Sequence, residues 1–214
     1  MKHIFEAEKI LPAVTLEDPS KALDTAKAIY AGGVHVMEIT FRTNAAAESI
    51  ALIRKSLPEM YIGAGTILNK EQLHQAQQAG AQFGLSPGFN PSVAAEAVRM
   101  NFPFIPGVMT PSDIELAVEA GCRILKLFPA APIGGIDFLK ALAGPYGHTG
   151  VTFIPMGGVS LQNLTSYLSL ENVTAVGGSW LAAQQLIEER NYEAIRLNVT
   201  NAATLIKQAF QEQS

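Results

Sequence analysis

Eight short apolar segments recur along the chain, each followed by a polar turn and then by a stretch with helical spacing. They are KILPAV (9–14), VHVMEIT (34–40), MYIGAG (60–65), QFGLS (82–86), PFIPG (103–107), RILKLF (123–128), VTFIPM (151–156) and VTAVGG (173–178). Successive starts lie about 20 to 28 residues apart, the length of a strand plus a returning helix. That alternation restricts the chain to a parallel sheet covered by helices. Eight units with no break in composition predict one α/β domain over residues 1–214, a single (β/α)8 TIM barrel. A doubly wound open sheet is the alternative.

Helix signals fill the intervals. Stretches 17–33, 69–80, 90–101 and 110–121 read as helices; several open with Asn, Thr or Ser followed by Pro, and several close on Gly. Residues 191–210 read as one more amphipathic helix, with Ile195, Val199, Leu205 and Ile206 available for packing.

Composition narrows the possible partners. With 48% hydrophobic and 16% charged residues the chain is expected to be globular rather than disordered. A net charge of −4 argues against nucleic acid or an anionic membrane as a partner, and a small anionic ligand would need locally placed cations. The single cysteine, Cys122, excludes an intramolecular disulfide and reads as a small packing residue. The opening stretch MKHIFEAEKILPAV lacks the long apolar region of a signal peptide, so a cytoplasmic protein is expected.

In a closed parallel barrel the active site lies at the C-terminal ends of the strands. Alternation along the second segment puts Glu38, Thr40 and Arg42 on one face, with Met37, Ile39 and Phe41 on the other. A Glu38–Arg42 ion pair closing the barrel mouth is the purely structural explanation. Glycines in GAGT (63–66) leave space beside Thr66, which otherwise reads as a helix N-cap. Lys126 shares a face with Ile124 and Phe128, and there it either snorkels to water or is held inside. Two glycine pairs, in PMGGVS (155–160) and VGGSW (176–180), follow the last two segments. In barrels these loops often bind phosphate through backbone N–H groups, although each pair alone also makes a turn.

Together these residues suggest carbonyl chemistry. Desolvation disfavours the charged form of a lysine held among apolar neighbours, which leaves a nucleophilic amine. Such an amine condenses with a ketone, and the iminium withdraws electrons so that a C–C bond two carbons away can break or form. A base such as Glu38 and a cation for a substrate carboxylate, such as Arg42, complete the set. His3, His35, His74 and His148 are scattered, so neither a metal site nor a cofactor is expected.

The segments AGGVHVMEITFRT (31–43), IGAGTILN (62–69), GAQFGLSPG (80–88), LKLFPA (125–130), FIPMGGVS (153–160) and VGGSWL (176–181) resemble one family. It is that of the 2-keto-3-deoxy-6-phosphogluconate (KDPG) and 4-hydroxy-2-oxoglutarate (KHG) aldolases. The resemblance implies a class I aldolase on a (β/α)8 barrel, a homotrimer, that cleaves KDPG to pyruvate and glyceraldehyde 3-phosphate. It implies Lys126 as the Schiff-base residue and Glu38 as the acid/base. Arg42 and Thr66 are implied to hold the pyruvate carboxylate, Pro87 and Phe128 to line the pocket, and Gly157, Gly158, Gly178 and Ser179 to bind phosphate. Met156 stands where the family's sugar-acid branch usually has threonine, so a polar substrate contact is missing there. The first strand offers Thr15 where related branches place an arginine. A phosphosugar isomerase or epimerase, a non-catalytic phosphosugar-binding protein and an aldolase for a related keto-deoxy sugar acid are the competing readings.

Overall fold

The structure is a computed structural model, and it describes residues 1–211. Helix α1 (Lys2–Glu8) is followed by β1 (Ile10–Val14), a 3-10 turn (Pro19–Lys21), α2 (Ala22–Ala31), β2 (Val36–Thr40), α3 (Ala46–Ser56), β3 (Tyr61–Gly65), α4 (Lys70–Gln78), β4 (Phe83–Leu85) and α5 (Pro91–Arg99). The second half contains β5 (Phe104–Ile105), β6 (Gly107–Val108), α6 (Pro111–Glu119), β7 (Ile124–Leu127), α7 (Gly135–Tyr146), β8 (Thr152–Pro155), α8 (Leu164–Leu168), β9 (Val176–Gly178), a 3-10 turn (Ser179–Ala182), α9 (Gln184–Glu188) and α10 (Tyr192–Gln211).

All strand pairings are parallel. One sheet has six strands in the order β5-β4-β3-β2-β1-β9, and the other has three, β6-β7-β8. The doubly wound alternative needs an order that reverses within the sheet; here consecutive strands are neighbours, and the last strand pairs with the first. The fifth sequence segment divides at Pro106, which has no N–H to give to a ladder, so its halves pair with β4 and β7 respectively. Isolated bridges, Phe153 with Val173 and Met156 with Gly177, link β8 to the region of β9.

Every residue of β1, β2 and β7 is buried, as expected for parallel strands with both faces covered. The helices begin where their caps direct. Asn69, Asn90 and Thr110 accept hydrogen bonds from Gln72 N, Ser92 N and Asp113 N at the starts of α4, α5 and α6. Thr110 and Asp113 form a reciprocal capping box. Helix α10 buries Ile195, Val199 and Ile206, with Leu205 half-buried. At the N-terminal end of the strands, fully buried Phe5 of α1 meets the Phe83 ring edge-on, with centroids 5.4 Å apart. Among the described residues no helix is long and apolar enough to cross a membrane.

Candidate active site

Glu38 lies in the middle of β2 and Lys126 in the third position of β7. In register, Ala13 and Gly63 flank Glu38, while Gly107 and Ile154 flank Lys126. The Phe83 ring and the Pro87 backbone take up the room beside Gly63 and Gly107, so the space for the Glu38 carboxylate comes from another neighbour. Gly65 contributes most directly, because a Cβ there would collide with the Glu38 carboxylate.

The two side chains meet. Lys126 Nζ is 3.5 Å from Glu38 Oε1, an ion pair without hydrogen-bond geometry. Lys126 is only 7% exposed and Glu38 is fully buried, so the lysine does not snorkel to water. Both Glu38 oxygens are buried with no hydrogen-bond partner. A carboxylate left in this state is costly unless something that enters the site pairs with it. The Phe128 ring lies beyond the strand end, its centroid 5.4 Å from Lys126 Nζ.

A cavity of about 180 Å³ opens on these groups. Arg42, Phe128, Met156, Gly157, Gly158, Gly178 and Ser179 join Glu38 and Lys126 in its wall, as do Ala13, Val159 and Trp180. Arg42 is exposed and makes no ion pair among the described residues, so the Glu38–Arg42 bridge that would close the barrel mouth is not formed. Its guanidinium is free for a carboxylate from solution.

Two expected residues lie outside the lining. Thr66 follows β3 with φ 60°, a left-handed conformation unusual for a β-branched residue. It is not a helix cap, since Asn69 has that role for α4. Pro87 is half-buried after β4, with its backbone packed where Gly107 lacks a side chain.

The two glycine pairs differ in physical origin. Gly157 and Gly158 have φ of 85° and 91°, which an L side chain rarely adopts. Gly178 is extended, at φ 167°, and is open to any residue on backbone grounds. Contact is what limits Gly177 and Gly178: a Cβ on Gly177 would strike the Met156 methyl, and one on Gly178 would lie 2.8 Å from Trp180 Cδ1.

The other titratable groups lie elsewhere. His35 pairs with Glu8 and His74 with Glu96, while His3 and His148 are exposed. No three His, Cys, Asp or Glu side chains cluster as a metal site among the described residues. Cys122, half-buried after α6, has its thiol pushed up by burial, away from the reactive thiolate.

The family model "KDPG and KHG aldolase" matches residues 1–197. The chain belongs to this aldolase family. A "2-dehydro-3-deoxy-phosphogluconate aldolase" of Treponema pallidum is 45% identical over 195 residues, 90% of this chain and 92% of that protein. A "KHG/KDPG aldolase" of Escherichia coli is 40% identical over 192 residues, 90% of this chain and 89% of that one. Among solved structures, a KDPG aldolase from Legionella pneumophila with pyruvate captured as a covalent carbinolamine superposes with a TM-score of 0.90 at 35% identity. That match covers 94% of this chain and 97% of the other.

Sequence reasoning on VGGSW rests on its glycines and does not reach Trp180, which the structure adds to the cavity wall. The available signal was that Trp180 is the one tryptophan in the chain and follows a glycine pair.

Proposed function

We propose that this aldolase cleaves 2-keto-3-deoxy-6-phosphogluconate to pyruvate and glyceraldehyde 3-phosphate through a Schiff base on Lys126, and 4-hydroxy-2-oxoglutarate to pyruvate and glyoxylate by the same steps. The observation that carries the reading is a buried amine 3.5 Å from a buried carboxylate that has no hydrogen-bond partner, at the wall of a cavity. Glu38 takes a proton from the Lys126 ammonium, and the amine adds to the substrate's C2 carbonyl carbon. Glu38 returns that proton to the carbinolamine hydroxyl, which leaves as water to give an iminium and a carboxylate ready for the next transfer. Glu38 removes the C4 hydroxyl proton, the C3–C4 bond breaks, and its electron pair moves into the iminium to form an enamine as the aldehyde departs. Glu38 returns the proton to C3, and water hydrolyses the resulting iminium to release pyruvate and the amine.

Arg42 at the cavity rim suits the keto acid's carboxylate, with Thr66 and Pro87 at the neighbouring strand ends. Phe128 and Met156 supply apolar wall, and the turns at Gly157–Gly158 and Gly178–Ser179 suit the phosphate. The lining contains one carboxylate, Glu38, which weighs against an isomerase that shuttles a proton between two acidic groups.

The β9–β1 pairing and the bridges between β8 and β9 support reading the two sheets as one eight-stranded barrel, with β5 and β6 counted as one interrupted strand. A homotrimer is proposed on the family likeness, supported by the exposed apolar Val98 and Leu116 on α5 and α6. A cytoplasmic location is proposed on the chain's single cysteine and its phosphorylated substrate.

Borohydride reduction with pyruvate tests the mechanism. One pyruvyl adduct is expected on Lys126, and none on the Lys126→Ala protein. An unlabelled intact protein would overturn the proposal. A coupled pyruvate-release assay with phosphorylated and unphosphorylated keto acids then reads the contribution of the glycine turns.

A further inference from the structure

Four buried side-chain polar atoms lack a hydrogen-bond partner among the described residues: both Glu38 oxygens, Ser49 Oγ and Trp180 Nε1. Three of the four belong to residues that line the one cavity holding Lys126. Unpaired polar atoms in residues that line one cavity point to a ligand that pairs with them, since native interiors leave few such groups. Glu38 is accounted for by proton transfer. Trp180 has no part in those steps.

The indole N–H is a donor only, and buried tryptophans usually satisfy it. Here the atom is sealed from solvent, so water does not serve it. The ring edge lies on Gly178, with Cδ1 at 2.8 Å and Nε1 at 3.1 Å from where a Cβ on that residue would stand. Gly178 carries no side chain against the ring, and for a ligand in the cavity to reach the N–H the indole must turn about the Trp180 χ bonds. Trp180 follows Gly178 and Ser179 directly, at the end of the cavity assigned above to the distal part of the substrate.

We propose that Trp180 is a specificity-determining residue whose Nε1–H donates to a phosphate oxygen of the bound keto acid, selecting phosphorylated over unphosphorylated substrates. The inference rests on the Schiff-base reading. It adds a side-chain donor to a phosphate end whose other candidate donors are backbone N–H groups and one serine hydroxyl.

Trp180→Phe keeps a ring of similar shape and removes the N–H. For that variant kcat/KM on 2-keto-3-deoxy-6-phosphogluconate should fall about tenfold, the loss of one charge-assisted hydrogen bond, chiefly through KM. On unphosphorylated 2-keto-3-deoxygluconate it should change less than about twofold, and borohydride trapping of pyruvate on Lys126 should proceed as in the parent. Trp180→His, which retains a ring N–H, should recover part of the preference. Equal losses on both substrates would make Trp180 a packing residue and overturn the proposal, as would no loss on either. If the variants do not fold, the parent protein still decides. As the chain's one tryptophan, Trp180 alone supplies the indole emission, which should shift when glycerol 3-phosphate is added and stay unchanged with pyruvate. Absence of a shift with glycerol 3-phosphate, or an equal one with pyruvate, would overturn it. Failure of pyruvate trapping in the parent would instead remove the Schiff-base reading itself.

Discussion

Glu38 reaches toward Lys126 through space that a neighbouring glycine leaves open. Gly63, Ala13 and Gly107 flank the pair in register, and Gly65 leaves the space in which the Glu38 carboxylate ends. Gly65→Ala tests this directly. The backbone at Gly65 does not have the positive φ that excludes side chains, so the protein should fold. The new methyl would push the carboxylate away from Lys126 Nζ, and turnover should drop about a hundredfold, the usual cost of a misplaced acid/base group. Pyruvate-release kinetics measure this, and unchanged turnover would separate Gly65 from the site. Alternation along two strands was enough to bring Glu38 and Lys126 to attention, because a charge in an apolar run is visible in one dimension. Trp180 was not legible in that way: its significance is an indole N–H with no partner, which exists only once surrounding elements have closed around it.

Helix starts were among the most readable features, since a cap acts on amides two or three residues away. Asn69, Asn90 and Thr110 each cap the helix their position announced. Replacing Thr110 by alanine removes one half of the capping box and should lower unfolding free energy by about 1 kcal/mol in urea titrations, with pyruvate trapping intact. Between α4 and α5, Glu96 is hydrogen-bonded by Arg99 and by His74 at 2.7 Å, and the Arg99 guanidinium leads in holding its carboxyl down at about 2 against 4.5. A lowered folded value means that its stabilisation is complete above about pH 4.5 and lost as pH falls toward 2. Glu96→Gln should therefore flatten the acid limb in that window by lowering the plateau above about pH 4.5 while stability near pH 2 stays nearly unchanged; equilibrium unfolding at stepped pH reads this. The effect is small because its partners Arg99 and His74 are exposed, where solvent screens both pairs. Helix α1 escaped sequence reading: its seven residues are too few to show a period, and burial of Phe5 is what holds it.

At the scale of the molecule, stability and chemistry are assigned to opposite ends of the strands. Phe5 packs on Phe83 at the N-terminal end, while Lys126, Arg42 and the glycine turns face the other. Phe5→Ala should lower stability by about 3 to 5 kcal/mol, measured by denaturant unfolding, with kcat of the folded fraction preserved. A matching loss of kcat would show that the two ends are coupled. The sequence by itself determined the alternation of strand and helix, the starts of α4, α5 and α6, and the two charged residues inside apolar strands. Each of these is set by periodicity or by groups a few residues apart. Tertiary structure alone decided that Glu38 faces Lys126 rather than Arg42, that Pro106 divides one strand between two sheets, and that Trp180 joins the cavity wall. Those outcomes depend on which residues from distant segments become neighbours, and register and packing bring them together only when the strands assemble.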